Sequence, residues 1–497
     1  MLILFLVFSA VWTVSAKVPA CPPGGIYFSP PQNLSTRTHF PPTINGSTPI
    51  FPTNYVCNYQ INVPQGLYAT VWISYSTLNK TDENTKVVVT DNSNFSEIML
   101  PAFQEEFYFP SNSGNISLST GASEVSFDFG IWWRELPTVV SPKQIQLNVS
   151  NTEPSTIQIH RSNVSYLVTA ETRVSILAIS SIFDFDNLKL RGIFIYDGPT
   201  WNSTLLGSAM HLWSSNKQWV STGKQLTVQL LFDGSNANRT QMVLQDYENS
   251  KHIVNYYCGY CTYVSNVDSQ DDCQYTLDNS LGTSAVITSM NPEYGNRETI
   301  KYLDGNGTLD VYLGGITQSK SNLVVSYPVN DPGLTLPQTF RGAIRTYVLE
   351  GVHTKAVMNL TRYFSGPPDT IGTKKLIMSD YYPQVHTDQY VWGTATAPNN
   401  TLVTFSYILR CADITKNGTF RVQVRNGNKY VYNKTYTASN PPPIGKTFNV
   451  IGDYMSVLMQ SKEGESQGLL MEYEILKAAS TNFCILVFPL ILVTRLF

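Results

Sequence analysis

Along Val125 to Trp133 every second residue is apolar: Val125, Phe127, Phe129, Ile131 and Trp133 alternate with Ser126, Asp128 and Gly130. A period of two places all five on one face of a pleated strand, whereas a helix would scatter them around its axis. Leu226, Val228, Leu230 and Phe232 alternate in the same way with Thr227 and Gln229. In FRVQVRNGNKYVY two such runs flank Asn426-Gly427, a pair that readily takes the positive φ angles of a tight hairpin. No long stretch carries the spacing of an amphipathic helix. With 29 Tyr, 23 Phe, 31 Gly and 28 Pro in 497 residues, the chain reads as all-β, and its length requires several sandwiches rather than one core.

Both ends are apolar. MLILFLVFSAVWTVSA closes on Val14-Ser15-Ala16, small residues of the kind a signal peptidase needs, so 1–16 read as a cleaved secretory signal. At the other end FCILVFPLILV, Phe483 to Val493, is about half the length of a bilayer span. It resembles the removable tail of a glycosylphosphatidylinositol (GPI) anchor signal, with Ala479 or Ser480 as the attachment site and 479–497 as the tail. The expected location is the outer face of a plasma membrane, held by lipid, or the medium beyond it.

Cys484 belongs to that tail, which leaves Cys21, Cys57, Cys258, Cys261, Cys273 and Cys411, an even set suited to disulfides in an oxidising compartment. Asn-X-Ser/Thr triplets begin at Asn33, Asn45, Asn79, Asn94, Asn115, Asn148, Asn163, Asn202, Asn238, Asn306, Asn359, Asn399, Asn417 and Asn433, and so run from end to end. Charged residues are only 14% of the chain, below the ~25% of ordinary soluble proteins, and glycans would supply part of the missing solvation. A net charge of -3 without a basic cluster argues against nucleic acid as a partner.

Internal similarity divides the chain. Cys57-Asn58-Tyr59-Gln60-Ile61 resembles Cys273-Gln274-Tyr275-Thr276-Leu277, each preceded by another cysteine. That likeness pairs Cys21 with Cys57, gives Cys273 one of Cys258 and Cys261, and leaves the other for Cys411. An apolar strand ending in a turn recurs as KVVVTDN at Lys86, GIFIYDG at Gly192, TLDVYLGG at Thr308 and TFRVQVRNG at Thr419. Boundaries near Leu136-Pro137, Ser250 and Gly351 then give four units, 17–137, 138–250, 251–351 and 352–478, the second without cysteine.

Three segments resemble the nematode family of secreted CUB-like domain proteins: CNYQINVPQGLYATVWI at Cys57, FDFGIWWRELP at Phe127, and VSILAISSIFDFDNLKLRGIFIYDGPTWNSTLLGS from Val174. The YDG-turn-LLG stretch is also similar to the IYDG…LG segment of CUB domains generally. The resemblance spans about Cys21 to Ser250 and implies jelly-roll β-sandwiches, a secreted or cell-surface location and a part in intestinal defence against microbes. It implies no catalytic residue. Some CUB domains hold calcium with acidic residues at one end of the sandwich, for which Asp184, Asp186 and Asp233 are the weak candidates here. Arg191 stands where those domains place an acidic residue, and a guanidinium in the shell opposes a cation, so no metal is expected. DGNGTLD at Asp304 has Gly315 where a calcium loop needs Glu, and reads as a β-turn.

No H-E-x-x-H, G-x-S-x-G or G-x-x-x-x-G-K-[ST] pattern occurs, and His39, His160, His211, His252, His353 and His386 stand far apart. Glu105-Glu106 and Asp271-Asp272 are neighbours whose side chains point to opposite faces of a strand, which disqualifies either pair as a shared acid and base. Asp197-Gly198 reads as a sheet corner, with Ile193 and Ile195 facing the core and Phe194 and Tyr196 pointing the other way. The chain therefore reads as a non-enzymatic surface protein that needs no cofactor and binds an extracellular protein or glycan. The alternatives are a secreted hydrolase whose site is assembled from distant loops and a calcium-dependent carbohydrate-binding module.

Overall fold

The computed structural model describes residues 18–42, 49–77, 82–101, 103–137, 141–159, 164–180, 185–231, 237–259, 273–289, 297–328, 336–361, 369–461 and 463–478. The expected signal at 1–16 and tail at 479–497, with Ala479 and Ser480, lie outside them. The described chain is all-β, relieved by short helices such as Ala209–Ser214 and Tyr247–Ser250. It divides into two compact units, 1–262 with 315–321 and 263–314 with 322–497.

In the first sandwich the alternation acts through two very long strands. Val56–Thr77 and Phe103–Thr120 pair antiparallel along their length, with a register shift between Val63 and Tyr68. A bulge of this kind bends the pair, so that each strand serves both layers. Thr85–Thr90 joins the end of Phe103–Thr120, while Val125–Glu135 joins the far half of Val56–Thr77. The alternating Phe127, Phe129, Ile131 and Trp133 then share one buried core with Tyr59 and Ile61. Each such side chain contributes roughly 1.5–3 kcal/mol by leaving water. The Cys21–Cys57 disulfide ties the N-terminal segment to the start of the long strand.

The second sandwich has two separate sheets. One runs Thr204–Ser208, Ile193–Asp197, Gln225–Leu230, Val164–Ala170 and Lys143–Leu147; the other runs Ser155–Ile159, Ala237–Asp246, Val174–Ile179 and Trp219–Val220. Their core also takes in Tyr68, Tyr108 and Leu136 of the first sandwich. Phe194 and Tyr196, expected to point away from the core face, are as buried as Ile193 and Ile195. The strand is covered on both sides, which its unbroken apolar run reflects.

The third sandwich repeats the bent pair with Arg297–Leu313 and Ile344–Thr361. DGNGTLD is a bend within Arg297–Leu313 rather than a β-turn, because the register shifts between Asp304 and Asn306 and the strand continues. Gly351, taken as a domain boundary, lies inside Ile344–Thr361. Gly305 and Gly351 hold φ of 103° and 120°, and a Cβ on either would come within 2.1 or 2.4 Å of a facing carbonyl oxygen, so both glycines mark the bend rather than an end. The likeness of Cys57 to Cys273 is not kept either: Cys57 lies in a 22-residue strand and Cys273 in a 6-residue one, Cys273–Asp278.

The fourth sandwich places Lys374–Met378, Gly468–Lys477, Val403–Asp413 and Thr447–Gly452 in one sheet, against a second sheet of four strands. In that second sheet Asn426 pairs with Lys429, so the hairpin turns on Gly427-Asn428, one residue later than the sequence indicated.

Candidate functional site

The second sheet of the fourth sandwich runs Tyr390–Thr396, Tyr454–Gln460, Thr419–Asn426 and Lys429–Tyr436, all antiparallel. Val391, Ala395, Phe420, Val422, Val424, Met455, Val457 and Met459 fill the core. Residues between them face outward, as the pleat requires. The register sets these in rows: Trp392 beside Leu458 and Arg421, Thr394 beside Ser456, Gln423 and Asn433, and Thr396 beside Tyr454 and Arg425. Gly393 lets the first strand approach the other sheet, since a Cβ there would stand 2.9 Å from the Ile377 side chain.

The outward face holds a groove of about 340 Å³ lined by Tyr390, Trp392, Arg421, Gln423, Arg425, Tyr454, Ser456 and Leu458. Trp392 is 63% exposed and Tyr390 42%, an unusual position for side chains whose burial would stabilise the fold. The Arg425 guanidinium lies 4.5 Å from the Tyr454 ring centre and 5.7 Å from that of Tyr430, which fixes it by cation–π attraction. Its Nε is buried without a hydrogen-bond partner among the described residues. Among the described residues no carboxylate, His or Cys lines the groove. The arrangement stacks rings, donates hydrogen bonds and attracts negative charge. Sequence reading missed it, although the signal was there: in YVWGTAT and TFRVQVRNG the positions that alternate with the core carry Tyr, Trp and Arg.

The expected site residues lie elsewhere. Asp197 is a corner: its Oδ1 accepts the Thr222 N–H at 2.9 Å, Gly198 follows at φ 142°, and the Gly198 carbonyl accepts the Thr227 hydroxyl at 2.8 Å. Asp184 and Asp233 lie outside the described residues, as does the side chain of Asp186. Among the described residues no group of three or more His, Cys, Asp or Glu is placed to hold a metal ion. Arg191 is the centre of a buried ionic cluster. Its guanidinium donates to Glu97 Oε2 at 2.9 Å and to Glu105 Oε2 at 2.8 Å, and lies 3.9 Å from the Phe107 ring centre. Burial pushes the Glu97 carboxyl above its usual range, and Arg191 opposes that shift. Glu106, the neighbour of Glu105, accepts instead from Trp72 Nε1 and the Tyr108 hydroxyl, at 2.8 and 2.9 Å. His211 is stacked on Phe95 at 4.6 Å and set edge-on to Trp219, and burial lowers its pKa.

Of the cysteines, Cys411 departs from the expected pairing. It is a free thiol whose Sγ donates to the Gly468 carbonyl at 3.7 Å, and burial raises its pKa. Cys261 and the side chains of Cys258 and Cys273 lie outside the described residues. So do Asn45, Asn79 and Asn163 and the side chains of Asn238 and Asn359. Asn33, Asn94, Asn148, Asn202, Asn306, Asn399, Asn417 and Asn433 are exposed, and Asn115 is half-buried.

Tandem sandwiches of mostly antiparallel strands define the class of protein. Within that class, residues 16–137, which contain the first sandwich, match the CUB-like domain family. Residues 146–231 and 248–363 match two families described as domains of unknown function, DUF7592 and DUF7591; the second match runs through Gly351, as the strand does. Among solved structures the chain is similar to the CUB1-EGF-CUB2 domains of rat MASP-1, with 12% identity over 44% of this chain and 99% of that one and a TM-score of 0.19. It is likewise similar to the CUB1-EGF-CUB2 domain of human MASP-1/3, with 12% identity over 42% and 98% and a TM-score of 0.17. A comparison with curated proteins returned no match.

Proposed function

We propose that the protein is a non-enzymatic, glycosylated binding protein of the cell surface or the extracellular medium, and that its fourth sandwich takes an acidic saccharide on the outward face around Trp392. The exposed Trp392 and Tyr390, set beside two guanidinium groups in a groove with no carboxylate among the described residues, support this reading. A sugar ring has an apolar face of C–H bonds that packs on an indole or phenol ring, while its hydroxyls accept from Gln423 and Ser456. A planar guanidinium suits the carboxylate of a uronic acid or a sulfate ester, which it meets with two parallel hydrogen bonds. Recognition of microbial surface polysaccharide would give such a protein its part in defence.

The test is a printed array of neutral, uronic-acid-bearing and sulfated oligosaccharides, probed with the secreted ectodomain with and without a calcium chelator. Retention of the acidic members, unchanged by the chelator, is the expected result. Retention of none would remove the saccharide reading, and loss on chelation would favour a calcium-dependent site. Hydrolysis of any printed saccharide would replace binding with catalysis.

A further inference from the structure

An Asn-X-Thr triplet, Asn433-Lys434-Thr435, lies on the edge strand of the sheet that forms the groove. We infer that an N-linked glycan on Asn433 lies across the outward face of this sheet, covers Trp392 and Tyr390, and must be displaced before an external saccharide binds. The covering inference rests on glycosylation of the chain and export to the extracellular side; competition rests also on the saccharide reading above.

Asn433-Lys434-Thr435 is the triplet that glycosylation requires, and Asn433 is exposed on the edge strand Lys429–Tyr436. Its neighbours in the strand, Tyr432 and Lys434, pair with the core residues Val424 and Val422, so the pleat turns Asn433 to the groove side. The Asn433 Oδ1 accepts from Gln423 Nε2 at 3.2 Å, and Gln423 lines the groove. That bond uses the oxygen and fixes the amide plane over the sheet, while the reaction that attaches a glycan occurs at Nδ2. From Asn433 the row crosses Gln423 and Ser456 to Thr394 on the opposite edge strand, which also carries Trp392 and Tyr390. Three strand spacings of about 4.8 Å separate those edges, a distance a short oligosaccharide spans. The first sugars of an N-glycan are neutral, with apolar ring faces suited to an exposed indole. They leave Arg421 and Arg425 without an anionic partner, so an acidic saccharide has an advantage that the tethered one lacks.

A tethered group acts at an effective concentration of the order of millimolar, which makes weak stacking sufficient for partial occupancy and gives competition of about twofold to tenfold. The ectodomain, produced in glycosylating cells, is compared with Thr435→Ala and Asn433→Gln, which remove the glycan by different routes. Mass spectrometry establishes occupancy of Asn433, and hydroxyl-radical footprinting measures oxidation of Trp392 and Tyr390 with no ligand present. Both variants are expected to show severalfold faster oxidation at the two residues, and about twofold to tenfold tighter binding of a heparin octasaccharide. An unoccupied Asn433, or oxidation rates equal in wild type and both variants, would overturn the covering glycan. Equal octasaccharide affinity in all three forms would overturn the competition. If no form binds the octasaccharide yet the footprint changes, the acidic-saccharide reading fails and the covering glycan stands.

Discussion

Replacing Arg191 with Met leaves two buried carboxylates facing each other without a cation. The Arg191 side chain is 6% exposed, Glu105 7% and Glu97 15%, so water replaces little of what the guanidinium supplies. Removing one member of a buried ion pair costs about 3–5 kcal/mol, chiefly because the other charge stays behind unpaired. Here the remaining charge goes from one excess carboxylate to two, which puts the substitution at the upper end of that range. The loss also depends on pH. Burial already holds the Glu97 carboxyl above its usual value, and without Arg191 its folded pKa rises further. A carboxyl whose folded pKa exceeds its unfolded one gives stability that is present at low pH and is lost as pH rises through the window between them. The deficit of the variant against wild type is therefore largest near neutrality and shrinks toward the ordinary carboxylate range. Urea-dependent hydrogen exchange, read on peptides from Phe103–Thr120, reports local opening without treating a multidomain chain as two-state. Adding Glu97→Gln and Glu105→Gln should recover most of the loss, since no buried charge then remains. A loss below about 1 kcal/mol near neutrality, or one that does not change with pH, would show that the cluster is solvated and refute the reasoning.

Asp197→Asn keeps an oxygen for the Thr222 N–H and should cost at most about 1 kcal/mol in chemical unfolding. Gly198→Val should block secretion, because φ is 142° there and the new Cβ would stand 2.5 Å from Ser203 Oγ; normal secretion of this variant would contradict the corner geometry. Opening the Cys21–Cys57 bridge with Cys57→Ala should lower stability by about 3–4 kcal/mol through loop entropy, and an unchanged thermal midpoint would refute that. Phosphatidylinositol-specific phospholipase C should release the protein from expressing cells, and retention under conditions that free a known GPI-anchored protein would exclude a lipid anchor at Ala479 or Ser480.

The sequence made the local pattern plain and hid what depends on partners far along the chain. Alternation in Val125–Glu135 and Gln225–Leu230 shows a strand because period two is a property of adjacent residues. The Asp197-Gly198 corner is legible for the same reason. Arg191 was not, since Glu105 and Glu97 lie 86 and 94 residues before it and no local rule joins them. The bends at Gly305 and Gly351 were read as a turn and a boundary because glycine marks either, and only the facing strand tells a bent strand from an ended one. The groove was hidden in another way. Its residues come from strands between Tyr390 and Gln460, and each strand alone shows only an aromatic or an arginine at a position where a polar residue is usual.

Calorimetric titration of a heparin octasaccharide into wild type and Trp392→Ala, both with Thr435→Ala to remove the Asn433 glycan, tests the binding face most directly. Trp392 is exposed and outside the core, so the substitution should leave the fold intact. Truncating a central Trp contact costs about 2 kcal/mol or more, and affinity should fall about 30-fold or further at constant ionic strength. Equal affinity in the two proteins would mean that the octasaccharide is held by charge elsewhere on the surface, and would contradict the assignment of the Trp392 face as the binding site.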